Sequence, residues 1–419
     1  MCNYINQSIH RMKNKWLLPA SVVLVLVCGL LYSWSIYVIP LEREFGWNRS
    51  QTAFNFTVCI SFFTLGMFLA GLLVNKIGRR NTIWLGGIIA SSGFWLASYS
   101  ASLPWLYVSY GACGGLGIGL MYIVPLATCT SAYPERSGTI AGLITMCFGL
   151  GNLLLGFFVI AWLLEHYDWA VALRTVAAVI LLASLSTGSF IRPGVSASVK
   201  GGPAADDWGF TMKGMVSTSS FWIYTAWIVP CESAGLMVIA HIVPFAIEAG
   251  IVTALAALAM GIEATSNSLG RLIFGYLIDR VGRRVTMMLT PVTMIIGLLT
   301  LWWGTPAFGF TALLIGCVIV GISYGSIYAQ NVSLILQFFG PKHYTSNLGL
   351  QGFSMFFGAL AGPQIAGFIQ STTGSYTPGF ITAIVIVFIG MIFGLFVKPP
   401  KNQREIIKRN NDFVGCGTD

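Results

Sequence analysis

Apolar residues run along this chain in blocks of about twenty or more, and polar residues gather in the short gaps between them. Twelve such blocks can be read, at 17–39, 52–75, 82–101, 104–130, 138–161, 170–190, 221–245, 252–278, 285–304, 308–337, 346–370 and 376–397. A helix that crosses the hydrocarbon of a bilayer needs roughly 20 apolar residues. The pattern therefore predicts an all-α membrane protein with twelve spanning helices. The gaps carry the Pro, Gly and charged residues that end elements. Only 192–218 is longer, and it is rich in Gly, Ser and Ala with both charge signs. It divides the chain into six-span halves at 1–191 and 219–400, with a tail at 401–419.

The halves resemble each other. "GLLVNKIGRR" (71–80) and "GYLIDRVGRR" (275–284) align at an offset of 204 residues. "GGLGIGLMY" ends in Tyr122 and "GISYGSIY" ends in Tyr328, both reading G-x-x-x-G-x-x-Y at an offset of 206. Pro40 falls on Pro244 at 204. A duplicated six-span unit in a polytopic chain implies a transporter whose site lies between the halves near the midplane.

Charge sets the orientation. The net charge of +9 suggests nucleic acid at first sight, but its placement excludes that partner. With the N-terminus taken as cytoplasmic, nineteen of 23 Lys and Arg fall in the N-terminus, the even-numbered gaps and the C-terminus. This is the positive-inside distribution, and it puts both termini in the cytoplasm; the plasma (inner) membrane is the expected location. Only 9% of residues are charged, against about 25% in an average soluble domain. The first block is too long for a signal peptide, and no A-x-A-like cleavage site follows it. Seven of nine cysteines, Cys28, Cys59, Cys113, Cys129, Cys147, Cys231 and Cys317, lie within spans with no metal spacing, and read as packing residues.

The loop motif resembles the signature of the major facilitator superfamily, G-x-x-x-D-[RK]-x-G-R-[RK]. The second copy is complete, with Gly275, Asp279, Arg280, Gly282, Arg283 and Arg284. The first copy keeps Gly71 and Arg79 but carries Asn75 where the acid is usual. The resemblance covers essentially the whole chain. It implies two six-helix bundles, alternating access, and a conformational latch built by these residues, weakened at Asn75.

No Walker loop, zinc spacing or nucleophile elbow is present, so an enzyme reading has no support, and no cofactor or metal is implied. The chemistry must lie with ionisable residues inside spans, where they are expensive. These are Glu232 and His241 in span 7, and Glu263 and Arg271 in span 8. Glu263, Asn267 and Arg271 recur every four residues and share one helix face. Arg271 could snorkel to the interface from its place about five residues, roughly 8 Å, off the span centre. The polar stripe argues instead for the interior, where a guanidinium suits a carboxylate. His241 reads either as a hydrogen-bonded core residue or as a cavity group able to carry a proton; its repeat counterpart is Tyr37. Tyr32, Trp34, Tyr37, Tyr122, Tyr324 and Tyr328 offer an aromatic lining or plain packing.

"YSWSIYVIPLEREFGWNRSQTAFNFT" and "GLGIGLMYIVPLATCTSAYPERSG" look like the oxalate/formate antiporter and monocarboxylate transporter branch of that superfamily. The resemblance implies that Arg271 binds substrate and that His241 faces it, with Tyr122, Tyr324 and Tyr328 at aromatic cavity positions. Two departures stand out. Met355 occupies the place of a second cation in oxalate carriers, and Asn267 the place of an acid one turn before the arginine. The expectation is a secondary transporter of a small monocarboxylate such as lactate, pyruvate or formate, moving with a proton. Substrate contacts are expected from Arg271, His241, Asn267 and the tyrosines at 37, 122, 324 and 328. Proton coupling is expected from His241, then Glu263, then Glu232. An oxalate/formate-type exchanger is the alternative; a membrane sensor and an apolar-drug exporter stand behind it. The partners are a small carboxylate anion, a proton and the bilayer, with no protein partner evident.

Overall fold

The structure, a computed structural model, describes residues 15–47, 49–191 and 208–401. Residues 192–207 of the anticipated linker and 402–419 of the tail lie outside the described residues. Among those described, ten helical stretches are long and apolar enough to cross a membrane. One of them, Phe54–Ala97, is 44 residues long, about 66 Å at 1.5 Å per residue and twice a bilayer's hydrocarbon core. It breaks at Gly78, whose φ of 81° and ψ of 165° leave the helical region. The stretch therefore holds two spans, 49–77 (α2) and 79–97 (α3). Thr253–Val281 (α8) has 29 residues and the length to cross, but its polar stripe lowers its apolarity and keeps it out of the ten. Twelve spans result, as the hydropathy pattern predicts.

The remaining spans are α1 (Leu17–Phe45), α4 (Leu103–Ala132), α5 (Pro134–His166), α6 (Trp169–Gly188), α7 (Ser219–Glu248), α9 (Arg283–Phe308), α10 (Phe310–Phe339), α11 (Tyr344–Thr373) and α12 (Thr377–Phe396). Their ends follow local chemistry. Asp168 accepts from the Val171 amide and caps α6, and Thr218 accepts from Phe221 and caps α7. Each satisfies an amide that the first helical turn leaves open. Gly46 and Gly374 close α1 and α11 in the left-handed region. The exterior stays apolar; Trp303 and Phe368 are each 71% exposed, as a lipid-facing surface requires.

The repeat is visible in the backbone. Gly282 sits between α8 and α9 with φ 84° and ψ 163°, nearly the conformation of Gly78 between α2 and α3. Only glycine adopts this conformation without strain.

Helices α1–α6 meet α7–α12 along two seams. On one, α5 runs close against α8, with glycines at the points of nearest backbone approach. A Cβ at Gly142 would overlap the Arg271 backbone, and a Cβ at Gly138 or Gly275 would overlap the other helix. Small residues let spanning backbones approach this closely. On the other seam, Gly71 of α2 packs against the Thr345–Ser346 backbone of α11. The short helix Met212–Val216 and the preceding segment sit beneath the second set. There Asn347 Nδ2 donates to the Phe210 carbonyl at 2.8 Å, and the Phe210 amide donates to Phe339. We call this the linker end.

Candidate functional site

A cavity of about 50 Å³ lies where the two helix sets meet. That is room for roughly three to five water-sized groups. Its wall draws Tyr32 from α1, Phe63 and Met67 from α2, Tyr122 from α4, and Thr145 and Phe148 from α5. The facing wall supplies Glu232 from α7, Arg271 from α8, Tyr328 and Asn331 from α10, and Ser354 and Met355 from α11. Arg271 is the one cation and Glu232 the one acid among these lining residues.

Arg271 is 5% exposed, so it does not snorkel to an interface. Its Nε donates to Asn267 Oδ1 at 3.1 Å, and its Nη1 donates to the Thr145 carbonyl of α5 at 2.8 Å. The first bond is the i, i+4 contact expected on one helix face. The second crosses between the helix sets. The guanidinium carbon lies 4.4 Å from the centre of the Tyr328 ring, a cation–π distance. Nη2 has no protein partner among the described residues, so two of the three nitrogens hold the fork and the third is open to a ligand.

The ring of Tyr328 is itself positioned. Tyr324 and Tyr328 share a hydroxyl–hydroxyl bond of 2.5 Å, and Tyr328 donates to Met355 Sδ at 3.9 Å. Tyr324 lies flat on α7 because Gly235 has no Cβ to meet its ring. On the first set, Tyr122 and Tyr32 each pack edge-on against Phe148, with centroids 4.9 and 5.1 Å apart. Glu232 is 2% exposed. Ser354 Oγ donates to its Oε1 at 3.2 Å, while Oε2 has no partner among the described residues.

The expected site residues separate into two groups. The cavity brings together Arg271, Tyr122, Tyr328 and Glu232, with Asn267 and Tyr324 behind as supports. It does not include His241, Tyr37 or Glu263. His241 is half-buried and bonds the Pro363 carbonyl of α11 at 3.0 Å through Nε2, beside the ring of Tyr376. The bond to Pro363 is of the kind that the hydrogen-bonded reading of this histidine expects. Nine residues separate it from Glu232, roughly 13 Å along α7. Tyr37 is buried against Tyr110, its hydroxyl unpartnered among the described residues. Glu263 is buried on α8, its Oε1 unpartnered among the described residues, roughly 12 Å from Arg271 along the helix. Thr145 and Ser354 were not anticipated. The only signal for Thr145 was the small-residue run of α5 that allows close approach, and Ser354 had only its place beside Met355.

At the linker end the two loop motifs make different clasps. Asp279 Oδ1 accepts from the Gly138 amide at 2.9 Å, and Oδ2 accepts from the Thr139 amide and hydroxyl, each at 2.7 Å. It thus caps α5 from α8, a carboxylate at the positive end of a helix. Asn75 Nδ2 donates to the Gly71 carbonyl and to Ser346 Oγ, both at 3.3 Å, and Ser346 donates to the Gly71 carbonyl at 2.5 Å. Ser137 and Ser333 close the same end with a 2.9 Å bond. The basic residues stand over aromatic faces: Arg280 lies 5.3 Å from Tyr276 and Arg283 lies 5.0 Å from Phe338. Arg79 is half-buried at the equivalent loop.

Known proteins agree with this architecture. The Major Facilitator Superfamily profile matches residues 20–334 and 231–414. The chain is 26% identical over 367 residues to rat monocarboxylate transporter 13, covering 87% of this chain and 84% of that protein. It is 25% identical over 402 residues to the oxalate:formate antiporter of Oxalobacter formigenes, covering 94% of each. Among solved structures, the transporter FucP in its outward conformation superposes with a TM-score of 0.71 at 14% identity, over 91% of this chain and 98% of that one.

Proposed function

The chain belongs to the major facilitator superfamily, and on that premise we propose that it carries a small monocarboxylate, of the size of lactate, pyruvate or formate, together with a proton. As a member it is a multi-pass integral membrane transporter rather than an enzyme. The observation that carries the substrate reading is the environment of Arg271. A buried guanidinium, held at two nitrogens, presents the third to a cavity of about 50 Å³. A carboxylate is the ligand that a fixed fork of donors recognises best. The small cavity favours a small ligand. The names of the monocarboxylate and oxalate:formate relatives support the same class.

Arg271 and the tyrosines 122 and 328 contact the anion in this reading, with Asn267 and Tyr324 as positioning residues. Transport proceeds by alternating access of the two six-helix halves around the cavity, with both termini cytoplasmic. The clasps at Gly71–Asn75–Arg79 and Gly275–Asp279–Arg280–Arg283 act as the latch of the linker end. His241 and Glu263 lie on α7 and α8 off the cavity, so their part in proton coupling ranks below that of Glu232.

The Oxalobacter relative favours a second reading, exchange of dicarboxylate for monocarboxylate. One cation, an acid and Met355 in the lining weigh against a dianion, because an unpaired buried charge is costly. Uptake of labelled C1–C4 carboxylates into proteoliposomes, with and without an acid-outside pulse, separates these readings. Concentrative uptake of lactate or pyruvate under the pulse supports symport. Oxalate–formate exchange indifferent to the pulse supports the antiporter.

A further inference from the structure

The central cavity has a second polar feature besides the guanidinium. Glu232 lines it from α7. Ser354 Oγ, from α11, donates to Oε1 at 3.2 Å, and Oε2 is buried with no partner among the described residues. The acid is packed closely between the two helices: a Cβ at Gly358 of α11 would lie 2.7 Å from Glu232 Cβ. One carboxyl oxygen is therefore held and the other is left open. A buried acceptor without a donor is costly.

A carboxylate bound at Arg271 brings acceptors only, so it does nothing for Oε2. A ligand that satisfies both lining groups carries a carboxylate and a donor. In so small a cavity the two belong on neighbouring carbons. We propose that Glu232 reads a hydroxyl of the substrate, and that the carrier prefers short 2-hydroxy monocarboxylates, with the carboxylate on Arg271 and the hydroxyl donating to Glu232 Oε2. This rests on the carboxylate reading of the cavity and narrows it to one substrate class.

The number of open acceptors selects the donor. A hydroxyl brings one O–H, whereas an ammonium brings three N–H groups. Other oxygens of the lining are already engaged. Asn331 Oδ1 accepts from the Tyr224 hydroxyl at 3.1 Å, the Thr145 carbonyl accepts from Arg271, and the Tyr328 hydroxyl is paired with that of Tyr324. One open oxygen matches one O–H. A 2-oxo group and an unsubstituted carbon bring no donor, so pyruvate and propionate leave Oε2 as it is in the empty cavity. A site built to bond a substrate hydroxyl rejects the analogue without it far more strongly than an apolar pocket rejects an isostere.

The test measures Kd for lactate, pyruvate, propionate and alanine by calorimetry at a single pH, with the purified full chain in nanodiscs. The wild type should bind lactate at least about tenfold more tightly than propionate or pyruvate. In Glu232→Gln, the Ser354 bond holds the amide oxygen at the Oε1 place and sets the NH2 at that of Oε2, turning an acceptor into a donor. The lactate-to-pyruvate preference should then fall to about one or invert. Glu232→Leu removes the acceptor, and its lactate-to-propionate preference should fall to about one. Equal wild-type binding of lactate and propionate overturns this proposal alone and leaves the carboxylate reading standing. Pyruvate as the tightest wild-type ligand would make Glu232 a donor, and alanine as the tightest would make it an ammonium partner; either overturns the proposal. A preference unchanged in whichever of the two variants assembles overturns the assignment to Glu232. Absence of binding by every carboxylate overturns the carboxylate reading and this proposal with it.

Discussion

The guanidinium carbon of Arg271 lies 4.4 Å from the centre of the Tyr328 ring. The ring face holds the cation without neutralising it, so the charge stays available to an anion. Such a contact contributes about 0.5–2 kcal/mol. Tyr328→Phe keeps the face and should bind lactate within about threefold of wild type. Tyr328→Leu removes the face and should weaken binding by roughly 2- to 30-fold. Equal losses in a competition assay would point to the hydroxyl instead.

Met355 is uncharged, and Arg271 is the one cation among the residues lining the cavity. Lactate and pyruvate should therefore displace a labelled monocarboxylate at concentrations at least tenfold below oxalate, a difference of about 1.4 kcal/mol. Oxalate as the best competitor would mean that the cavity gains positive charge in another state of the carrier.

His241 spends its Nε2 on the Pro363 carbonyl at 3.0 Å, outside the cavity lining. Glutamine at 241 can still donate to that carbonyl. His241→Gln should keep both counterflow and pH-driven accumulation, with a thermal stability change of about 1 kcal/mol or less. Loss of accumulation with intact counterflow would return the coupling proton to His241.

The clasps at the linker end are unequal. Asp279 accepts three bonds of 2.7–2.9 Å at the start of α5, whereas Asn75 makes two of 3.3 Å. Charge-assisted bonds are roughly twice as strong as neutral ones. Asp279→Asn should therefore widen the linker end far more than Asn75→Ala, as read by spin-label distances across it. A larger opening in Asn75→Ala would reverse the assignment of the stronger clasp.

Twelve spans were legible because the bilayer imposes length and apolarity together. Even the merged α2–α3 stretch declares itself through Gly78, which shares its conformation with Gly282. The repeat was informative for part of the site. Tyr122 and Tyr328, matched at an offset of 206, both line the cavity, and so do Met67 and Arg271, matched at 204. Tyr37 and His241, also matched at 204, both lie off it. The match is partial: Glu232, Tyr32 and Phe63 line the cavity, while Cys28, Leu236 and Asn267, matched to them at 204, do not. Periodicity placed Glu263, Asn267 and Arg271 on one face but could not say how far along that face the cavity extends. Glu263 falls beyond it. Glu232 ranked low in the sequence because nothing there reveals a contact between α7 and α11. The Ser354 bond and the orphaned Oε2 appear only when the helices are packed.

The central claim, that Arg271 is the anion's ligand, is tested most directly by lactate counterflow in proteoliposomes containing wild type, Arg271→Lys or Arg271→Gln, each checked for monodisperse insertion. Lysine keeps the charge but cannot hold Asn267 and the Thr145 carbonyl while presenting a further fork nitrogen. The account predicts at least a tenfold loss of apparent affinity in Arg271→Lys and no measurable counterflow in Arg271→Gln. Wild-type counterflow by an inserted Arg271→Gln protein would contradict it.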